Sequence, residues 1–370
     1  MRLTFWIAAA TILYTYAGYP VLLAVLRLVI RPPVRRAAIE PSIALLIPAF
    51  NEARVIERKI RNALDLDYPQ SKLQIVVASD GSTDETVEIA ERFADADRVR
   101  VFAFPRNRGK MAVLNASVPE TRGDILIFSD APALIDRDAL RRLIANFADP
   151  VVGAVSGRYT VIEPGQVNTG ASEDLYWKYE TFLKTCESDL DSTLGAHGHL
   201  YAIRRELYPF ADASVINDDY VIPVSVIAKG FRAIYEPSAV VREEASEMTG
   251  FGRRVRIVAG NVQQLSEIHG LLHARRPLPL LFFFSHKAGR LLTPVAMLVA
   301  LAASLLLAAA PVYRAALYGQ AIFYLLAICG AVARLRPKLL MLPFYFSMIN
   351  AAAFLGFYHA ATRRRGMAWE

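Results

Sequence analysis

The sequence predicts an α/β domain with a mostly parallel sheet, covered by helices on both faces and flanked by membrane-spanning helices. Between about Pro41 and Arg276, short apolar runs alternate with segments of helical spacing. Uncharged runs long enough to cross a membrane lie on both sides of that region. The chain is also 54% hydrophobic with a mean hydropathy of +0.29, which is too apolar for an ordinary soluble domain.

The charge balance favours a membrane partner over a nucleic acid. Lys and Arg total 42 against 35 for Asp and Glu, a net charge of +7. Many of these basic residues flank apolar runs, which is typical of membrane anchors, so we expect membrane lipids as partners and no nucleic acid. Cys186 and Cys329 occur in unrelated contexts and indicate neither a disulfide framework nor a zinc site.

The N-terminal segment is predicted to be a transmembrane helix. Leu3–Leu26 carries no charge and is longer than the apolar part of a cleaved signal peptide. Four arginines follow the run, whereas only Arg2 precedes it. The positive-inside rule therefore places the following residues in the cytosol. We assign residues 1–40 to this helix and its basic linker.

The predicted cytosolic domain spans residues 41–276 and alternates strands with helices. Apolar runs rich in strand formers predict strands at 42–49, 73–79, 99–104, 125–128 and 151–155. Helical spacing predicts helices at 54–64, 84–93, 110–118 and 138–147. Ser82 and Glu85 match a capping box, which would make Ser82 the N-cap of the second helix.

The C-terminal part is predicted to return to the membrane. Residues 277–290 combine an aromatic cluster with His286, Lys287 and Arg290, which favours a helix lying in the interface; a buried core helix is the competing interpretation. Residues 291–370 contain three uncharged runs, at 291–312, 315–333 and 339–358, and a basic tail. Pro343 and Asn350 would allow the last run to be broken or re-entrant.

Acidic residues follow the predicted strands at corresponding positions. Glu52, Asp80 and Asp130 come just after three of them, where parallel sheets bind their ligands. Clustered carboxylates repel one another unless a cation or a ligand offsets the repulsion. Mg²⁺ or Mn²⁺, held by few protein carboxylates and by substrate phosphates, fits this pattern. Lys110 opens a helix after the third strand, which is a typical anion site.

These motifs carry a resemblance to a known family. The order IPAFNE, ASDGSTDET, NRGKMAVLN and GDILIFSDA resembles the nucleotide-sugar half of the family-2 inverting glycosyltransferases. Downstream, GHLYAIRRELYP, NDDYVIPVSVIAKGFR and RRVRIVAGNVQ resemble the acceptor half, and the flanking membrane segments resemble the branch of cellulose, hyaluronan and poly-N-acetylglucosamine synthases. The resemblance implies a GT-A-like fold. It also implies transfer of a sugar, with inversion, from a nucleotide-diphosphate sugar, expected to be a UDP-sugar, to a growing polysaccharide or lipid-linked oligosaccharide.

The resemblance also implies roles on the donor side of the site. Glu52 and Asp80 would contact the base and ribose region, and Lys110 would lie near the nucleotide or diphosphate. Asp130 would bind the metal, although Ala131 and Pro132 follow it and the second carboxylate of the family's DxD motif is missing.

On the acceptor side, Asp219 matches the last residue of the family's TED motif and would be the general base. Its neighbour Asp218 would raise its pKa by repulsion; a capped helix start is the structural alternative for the pair. Arg253 and Arg256 fall where the family places QxxRW beside the donor diphosphate, but the glutamine and tryptophan are absent.

Two other functions remain open on the sequence. A polyprenyl-phosphate sugar transferase would transfer to a phosphate and would need no strong base. A non-catalytic membrane receptor would bind a nucleotide sugar without transfer. We expect a multi-pass protein of the inner membrane with a cytosolic catalytic domain, a nucleotide-sugar donor and a glycan or lipid-linked acceptor as substrates, and room for an oligomer or secretion partner.

Overall fold

The computed structural model describes residues 1–95, 97–162, 171–244, 260, 262–263, 265, 268–273, 276–332 and 338–362. For 171–176, 338–341 and 357–362 it describes the backbone alone.

An eight-stranded mixed sheet forms the centre of the chain, in the order β3-β2-β1-β4-β7-β6-β8-β5. The first four of these strands are mutually parallel, as predicted, while β7 runs antiparallel to both β4 and β6. Strand β8 is parallel to β6 and antiparallel to β5. The strands are β1 Ile43–Ala49, β2 Leu73–Asp80, β3 Val99–Phe104, β4 Ile125–Phe128, β5 Leu134–Ile135, β6 Val152–Ile162, β7 Tyr201–Arg204 and β8 Arg232–Glu244.

Helices cover the sheet and extend beyond it. They are α1 Arg2–Val29, α2 Ile56–Leu64, α3 Thr86–Glu91, α4 Lys110–Ser117, α5 Ala139–Ile144, α6 Ala171–Leu190, α7 Asp218–Ala228, α8 Ile268–His273, α9 Pro277–Leu306, α10 Pro311–Val332 and α11 Lys338–Thr362. Short π-helical turns interrupt α1 at Tyr14–Gly18 and α9 at Phe283–Ala288.

The strands are buried on both faces because successive side chains point to opposite sides. Leu45 and Ile47 of β1 pack into one apolar cluster with α2 and α5, whereas Leu46 packs into a second with α4, α6 and α7. Tyr19 of α1 and Phe282 of α9 belong to that second cluster. The central sheet and the apolar terminal helices therefore share a core.

Three helices are long and apolar enough to cross a membrane, judged by length and composition: α1, α9 and α10. Helix α11 contains a shorter apolar stretch, Leu342–Gly356. Helix α9, with its π-helical turn, continues past residue 290. The sequence analysis had placed the boundary between an interfacial helix and a membrane span at that residue. The charged side chains that prompted that boundary are accommodated by protein contacts, since His286 and Arg290 both pair with glutamates of α6.

The predicted capping box is wrong. Helix α3 begins at Thr86, and its N-cap residue Glu85 makes no side-chain capping hydrogen bond. The Ser82 hydroxyl instead accepts a hydrogen bond from the Asn51 backbone N–H at 3.1 Å, which ties the loop after β2 to the loop after β1. Asp84 joins the same two loops by accepting from Ala53 N–H at 3.1 Å, and it also accepts from the backbone N–H of Thr86 at 3.1 Å.

Buried polar contacts join α6 to the apolar helices. Glu187 accepts a hydrogen bond from the Tyr19 hydroxyl at 2.7 Å and lies 2.6 Å from Nδ1 of His286. Arg290 pairs with Glu180, and Arg27 lies 2.5 Å from Asp189. Buried ion pairs of this kind are costly to break, because a lost partner leaves a buried charge uncompensated. They fix the rotation of α1 and α9 against α6.

The turn after β2 depends on Gly81, and this dependence can be tested. Gly81 has φ +73°, and a Cβ there would lie 2.5 Å from backbone atoms of Arg106 and Asn107. We expect Gly81→Ala to destabilise the fold by roughly 2 kcal/mol or more, from the left-handed backbone and the overlap together. The measurement is the thermal unfolding midpoint in detergent. Gly319→Ala, where a Cβ meets nothing within 4 Å, is the control and should leave the midpoint unchanged; equal midpoints for both variants would contradict the expectation.

Candidate active site

The ammonium group of Lys110 lies at the centre of the candidate site. Its Nζ is 2.9 Å from Oδ1 of Asp130 and 3.0 Å from Oδ1 of Asp218. Lys110 is the first residue of α4, Asp130 follows β4, and Asp218 is the first residue of α7. Burial opposes the charged ammonium, but the carboxylates of Asp130 and Asp218 outweigh burial and raise the pKa of Lys110 above its ordinary value.

The two adjacent aspartates have different surroundings. Asp218 is 4% exposed; its Oδ1 contacts Lys110 and its Oδ2 accepts a hydrogen bond from the Tyr201 hydroxyl at 2.6 Å. Among the residues that the structure describes, none donates a hydrogen bond to the carboxylate of Asp219. Burial, and next the neighbouring Asp218, raise the pKa of Asp219, while nearby lysines oppose the shift. Asp219 is thus the better-placed proton acceptor of the pair.

Gly198 lies between the carboxylates of Asp130 and Asp219. A Cβ built on Gly198 would be 3.4 Å from Oδ2 of Asp130 and 3.6 Å from Oδ2 of Asp219. The loop that carries Gly198 is fastened on both sides: Ala196 N–H donates to the Asp219 carbonyl at 2.6 Å, and the Ser129 hydroxyl donates to the His199 carbonyl at 2.6 Å. The absence of a side chain at position 198 keeps the space between the two carboxylates open.

Asp80 has a structural task in this arrangement. It is 1% exposed, and its two carboxylate oxygens accept hydrogen bonds from the backbone N–H groups of Arg108 at 2.7 Å and Gly109 at 2.8 Å. These bonds shape the turn that delivers Lys110 to the site. A contact between Asp80 and the nucleotide stays a prediction.

Glu52 lines an open cleft of about 800 Å³ beside the site. The cleft lies between the loops after β1, β2 and β4, and Asp84, Pro132 and Glu243 also line it. The Glu52 backbone N–H donates to the Thr86 hydroxyl at 2.8 Å, which holds the rim of the cleft in place. Its volume is in the range of small-molecule sites.

The structure therefore brings Lys110, Asp130, Asp218 and Asp219 together and puts Glu52 on an adjoining cleft, while the roles of these residues stay predictions. Arg253 and Arg256 lie outside the described residues, so their position beside the diphosphate stays a prediction.

The residues present fit a hard divalent cation with few protein ligands. No cluster of three or more His, Cys, Asp or Glu side chains suited to a metal occurs in the described part of the chain. Asp130 nevertheless offers a carboxylate beside the open space over Gly198, and Mg²⁺ or Mn²⁺ in such sites takes one or two carboxylates plus substrate phosphates and water. Asp130 is the residue that would hold the ion.

Comparison with known proteins identifies the domain built around these residues. Residues 44–209 match the family model described as glycosyl transferase family 2. The chain contains a family-2 glycosyltransferase domain.

Relatives with assigned names agree with this family. The chain is similar to a probable glycosyltransferase, YdaM, of Bacillus subtilis, at 26% identity over 66% of this chain and 62% of that protein. It is also similar to the poly-beta-1,6-N-acetyl-D-glucosamine synthase of Staphylococcus aureus, at 25% identity over 60% of this chain and 55% of that protein. The matches thus span less than two thirds of the length of these curated relatives.

A solved structure shares the architecture along nearly the whole chain. The mannosyltransferase PcManGT from Pyrobaculum calidifontis, in complex with GDP-Man and Mn²⁺, matches with a TM-score of 0.73 and 26% identity, covering 97% of this chain and 99% of that one. This confirms the predicted GT-A-like fold with its apolar helices.

Lys59 is a residue of the family-2 domain that the sequence analysis missed. It is completely buried; its Nζ donates to the Ser129 hydroxyl at 2.6 Å and to the Ala133 carbonyl. Burial lowers the pKa of Lys59 to about 7, against the opposing pull of the Asp130 and Glu243 carboxylates. Because Ser129 in turn donates to His199, the lysine ties the turn bearing Asp130 to the loop bearing Gly198.

The sequence does contain a signal for Lys59. With Ile56, Ile60 and Ala63 it forms the i, i+3, i+4, i+7 stripe that α2 turns towards the sheet. A lysine on such a stripe is rarely buried without a specific partner.

We predict that Lys59→Met weakens metal use by loosening the Asp130 turn. The metal concentration that gives half-maximal nucleoside diphosphate release should rise by about tenfold, the order expected when a charge-assisted hydrogen bond is lost. The measurement is a Mn²⁺ and Mg²⁺ titration at fixed donor. Arg61→Met, which removes an exposed cation from the same helix, should leave the titration unchanged. A titration of Lys59→Met identical to wild type would contradict the role.

Proposed function

We propose that the chain is a membrane glycosyltransferase that transfers a sugar, with inversion, from a nucleotide-diphosphate sugar to a hydroxyl of a growing polysaccharide or lipid-linked oligosaccharide. The observation that supports it most strongly is the group of Lys110, Asp130, Asp218 and Asp219 around Gly198. Such a group combines a proton acceptor with a cation and a metal-binding carboxylate, which are the requirements of this reaction.

In the proposed reaction Asp219 acts as the general base. Its carboxylate takes the proton from the acceptor hydroxyl, whose oxygen forms a bond to the anomeric carbon. The bond from that carbon to the diphosphate oxygen breaks on the opposite side, and its electron pair leaves with the nucleoside diphosphate. Attack opposite the leaving group inverts the anomeric configuration.

The other residues prepare and hold the two reactants. The ammonium of Lys110 offsets negative charge on the leaving diphosphate, where preorganised charge is most effective. Asp218, held by Lys110 and Tyr201, keeps Lys110 in place and disfavours ionisation of Asp219. A divalent cation on Asp130 would further neutralise the diphosphate, and Mn²⁺ in the related mannosyltransferase complex supports its use.

The donor nucleotide is proposed to occupy the cleft lined by Glu52. Relatives differ in the chemistry that their names print, an N-acetylglucosamine polymer in one and GDP-Man in another. We favour a UDP-sugar as the donor. We also propose that the protein lies in the inner membrane and that residues 41–276, between the membrane helices, form a cytosolic catalytic domain.

We predict that Asp219→Asn lowers the transfer rate by roughly 10²- to 10⁴-fold, the usual contribution of a general base, while the donor still binds. Nucleoside diphosphate release in membranes with native acceptors gives the rate, and donor titration gives KM. Asp67→Asn, an exposed carboxylate paired with Arg141, is the matched control. If nucleoside diphosphate release survives in Asp219→Asn, the chain is still an enzyme but Asp219 is not its base. That result would favour a polyprenyl-phosphate sugar transferase, whose phosphate acceptor needs no strong base.

The pH dependence follows from the raised pKa of Asp219. A general base works as the anion, so activity should fall as the pH drops through that raised value. We expect the acidic limb of the kcat/KM profile to lie above the ordinary aspartate pKa of about 3.9. A limb at or below that ordinary value would argue against Asp219 as the base.

The donor is tested with a panel of nucleotide sugars, with and without Mg²⁺ or Mn²⁺. Metal-dependent release of nucleoside diphosphate from one donor supports the transferase and identifies the sugar. Donor binding without release in membranes that contain native acceptors would favour the non-catalytic receptor.

A further inference from the structure

Two lysine ammonium groups meet at Gly195, on the acceptor side of the site. Lys184 of α6 donates to the Gly195 carbonyl at 2.7 Å. Nζ of Lys287 comes from α9, and a Cβ built on Gly195 would lie only 3.7 Å from it. Gly195 has φ +104°, so its backbone and the nearby ammonium both favour glycine at this position.

Neither ammonium is paired with a carboxylate in the part of the chain that the structure describes. Lys184 is 6% exposed and bonds to a carbonyl, and Lys287 lies 5.0 Å from the centre of the Tyr220 ring. The acids of α6 nearby are engaged elsewhere: Glu180 pairs with Arg290, and Glu187 contacts Tyr19 and His286.

Such an arrangement is electrostatically costly without a ligand. Burial disfavours the charged form of Lys184 and lowers its pKa, although the carboxylates of Glu180, Glu187 and Asp219 partly oppose that shift. The second ammonium near the same glycine adds repulsion, which an anion between or beside the two groups would offset. The pair therefore has the chemistry of an anion site.

The position of the pair separates it from the donor diphosphate. Lys110 is the cation that contacts Asp130, whereas the two lysines lie at Gly195, whose Cβ position is 3.6 Å from the Asp219 carbonyl oxygen. Lys287 also belongs to a helix with the length and composition of a membrane span. An anion reaching Lys287 would thus approach from the membrane side, next to the base.

We propose that Lys184 and Lys287 form a subsite for the phosphate of a lipid-linked acceptor. The inference rests on the proposed transferase function and deepens it: the acceptor carries a phosphate ester close to the hydroxyl that Asp219 deprotonates. Phe284, three residues before Lys287 on α9, is 56% exposed, which leaves an apolar side chain at the surface of the same helix for a lipid tail. Basic pockets at such helices are typical headgroup sites.

The test compares farnesyl phosphate with farnesol as ligands of the full chain in detergent, without donor. The wild-type chain should bind farnesyl phosphate about tenfold more tightly than farnesol, the order of a charge-assisted contact. Lys287→Gln should lose this preference, and Lys287→Arg should keep most of it. Lys72→Gln, which removes an exposed cation at the start of β2, should behave as wild type and controls for net charge.

Equal affinities for the two ligands in wild type, or a preference that survives Lys287→Gln, would overturn the subsite. Inorganic phosphate should not displace farnesyl phosphate at equal concentration; displacement would assign the cations to free phosphate instead of a lipid. Displacement by UDP or GDP would assign them to the donor side and equally refute the proposal. Because no transfer is measured, a failure here is distinct from a failure of the transferase mechanism, which the Asp219→Asn variant tests.

Discussion

The site depends on one ammonium group shared between two acidic segments of the chain. Lys110 contacts Asp130 after β4 and Asp218 at the start of α7, two segments that are far apart in sequence. Without a cation, the carboxylates of Asp130, Asp218 and Asp219 would repel one another across the space over Gly198. The position of Lys110 rests in turn on Asp80, whose oxygens hold the preceding turn. A residue of the family's nucleotide motif thus supports the centre of the site through the backbone.

The junction with the apolar helices extends this constraint to the membrane. Glu180, Glu187 and Asp189 lie on α6 and pair with cations or hydroxyls from α1 and α9. Burial opposes ionisation of Glu180, but Arg290, His286 and Lys184 outweigh it and lower its pKa to about 2, so this acid is charged at neutral pH. A charged and buried junction has few alternative registers, because sliding one helix by a turn would leave charges unpaired. The position of Asp219 relative to the apolar helices is thereby determined.

Much of the fold was predictable because its signals are local. The strands β1, β2, β3 and β4 are short apolar runs bounded by turn residues, and their predicted limits agree with the structure to within one residue. The acidic residues that follow them meet at one edge because parallel strands end together. Strands β5, β7 and β8 and helix α6 were not predicted, because their partners are distant in sequence. Helix α6 alternates apolar residues with charges, and several of these charges find their partners on α1 and α9.

The misassigned features share a physical cause. Ser82 has the residue type and spacing of a helix cap, but a hydroxyl bonds to whichever donor tertiary structure brings closest, and here that donor is Asn51. Lys59 and Lys287 look like solvated charges on helices, and their environments are set by Ser129 and by the Gly195 loop. The local sequence pattern shows which residues are polar. Long-range packing decides which of these side chains are buried, and burial changes their pKa and their hydrogen-bond partners.

The difference between Asp218 and Asp219 illustrates how that packing assigns roles. The two residues are chemically identical neighbours at the start of α7, and spacing alone cannot rank them as bases. Asp218 already contacts an ammonium and accepts a hydrogen bond from a phenol, so both of its carboxylate oxygens are engaged. Asp219 has neither contact and bears the repulsion of its neighbour, which favours protonation. Burial and the adjacent Asp218 raise the pKa of Asp219, which makes its carboxylate a stronger proton acceptor than an ordinary aspartate and supports its proposed role as the general base.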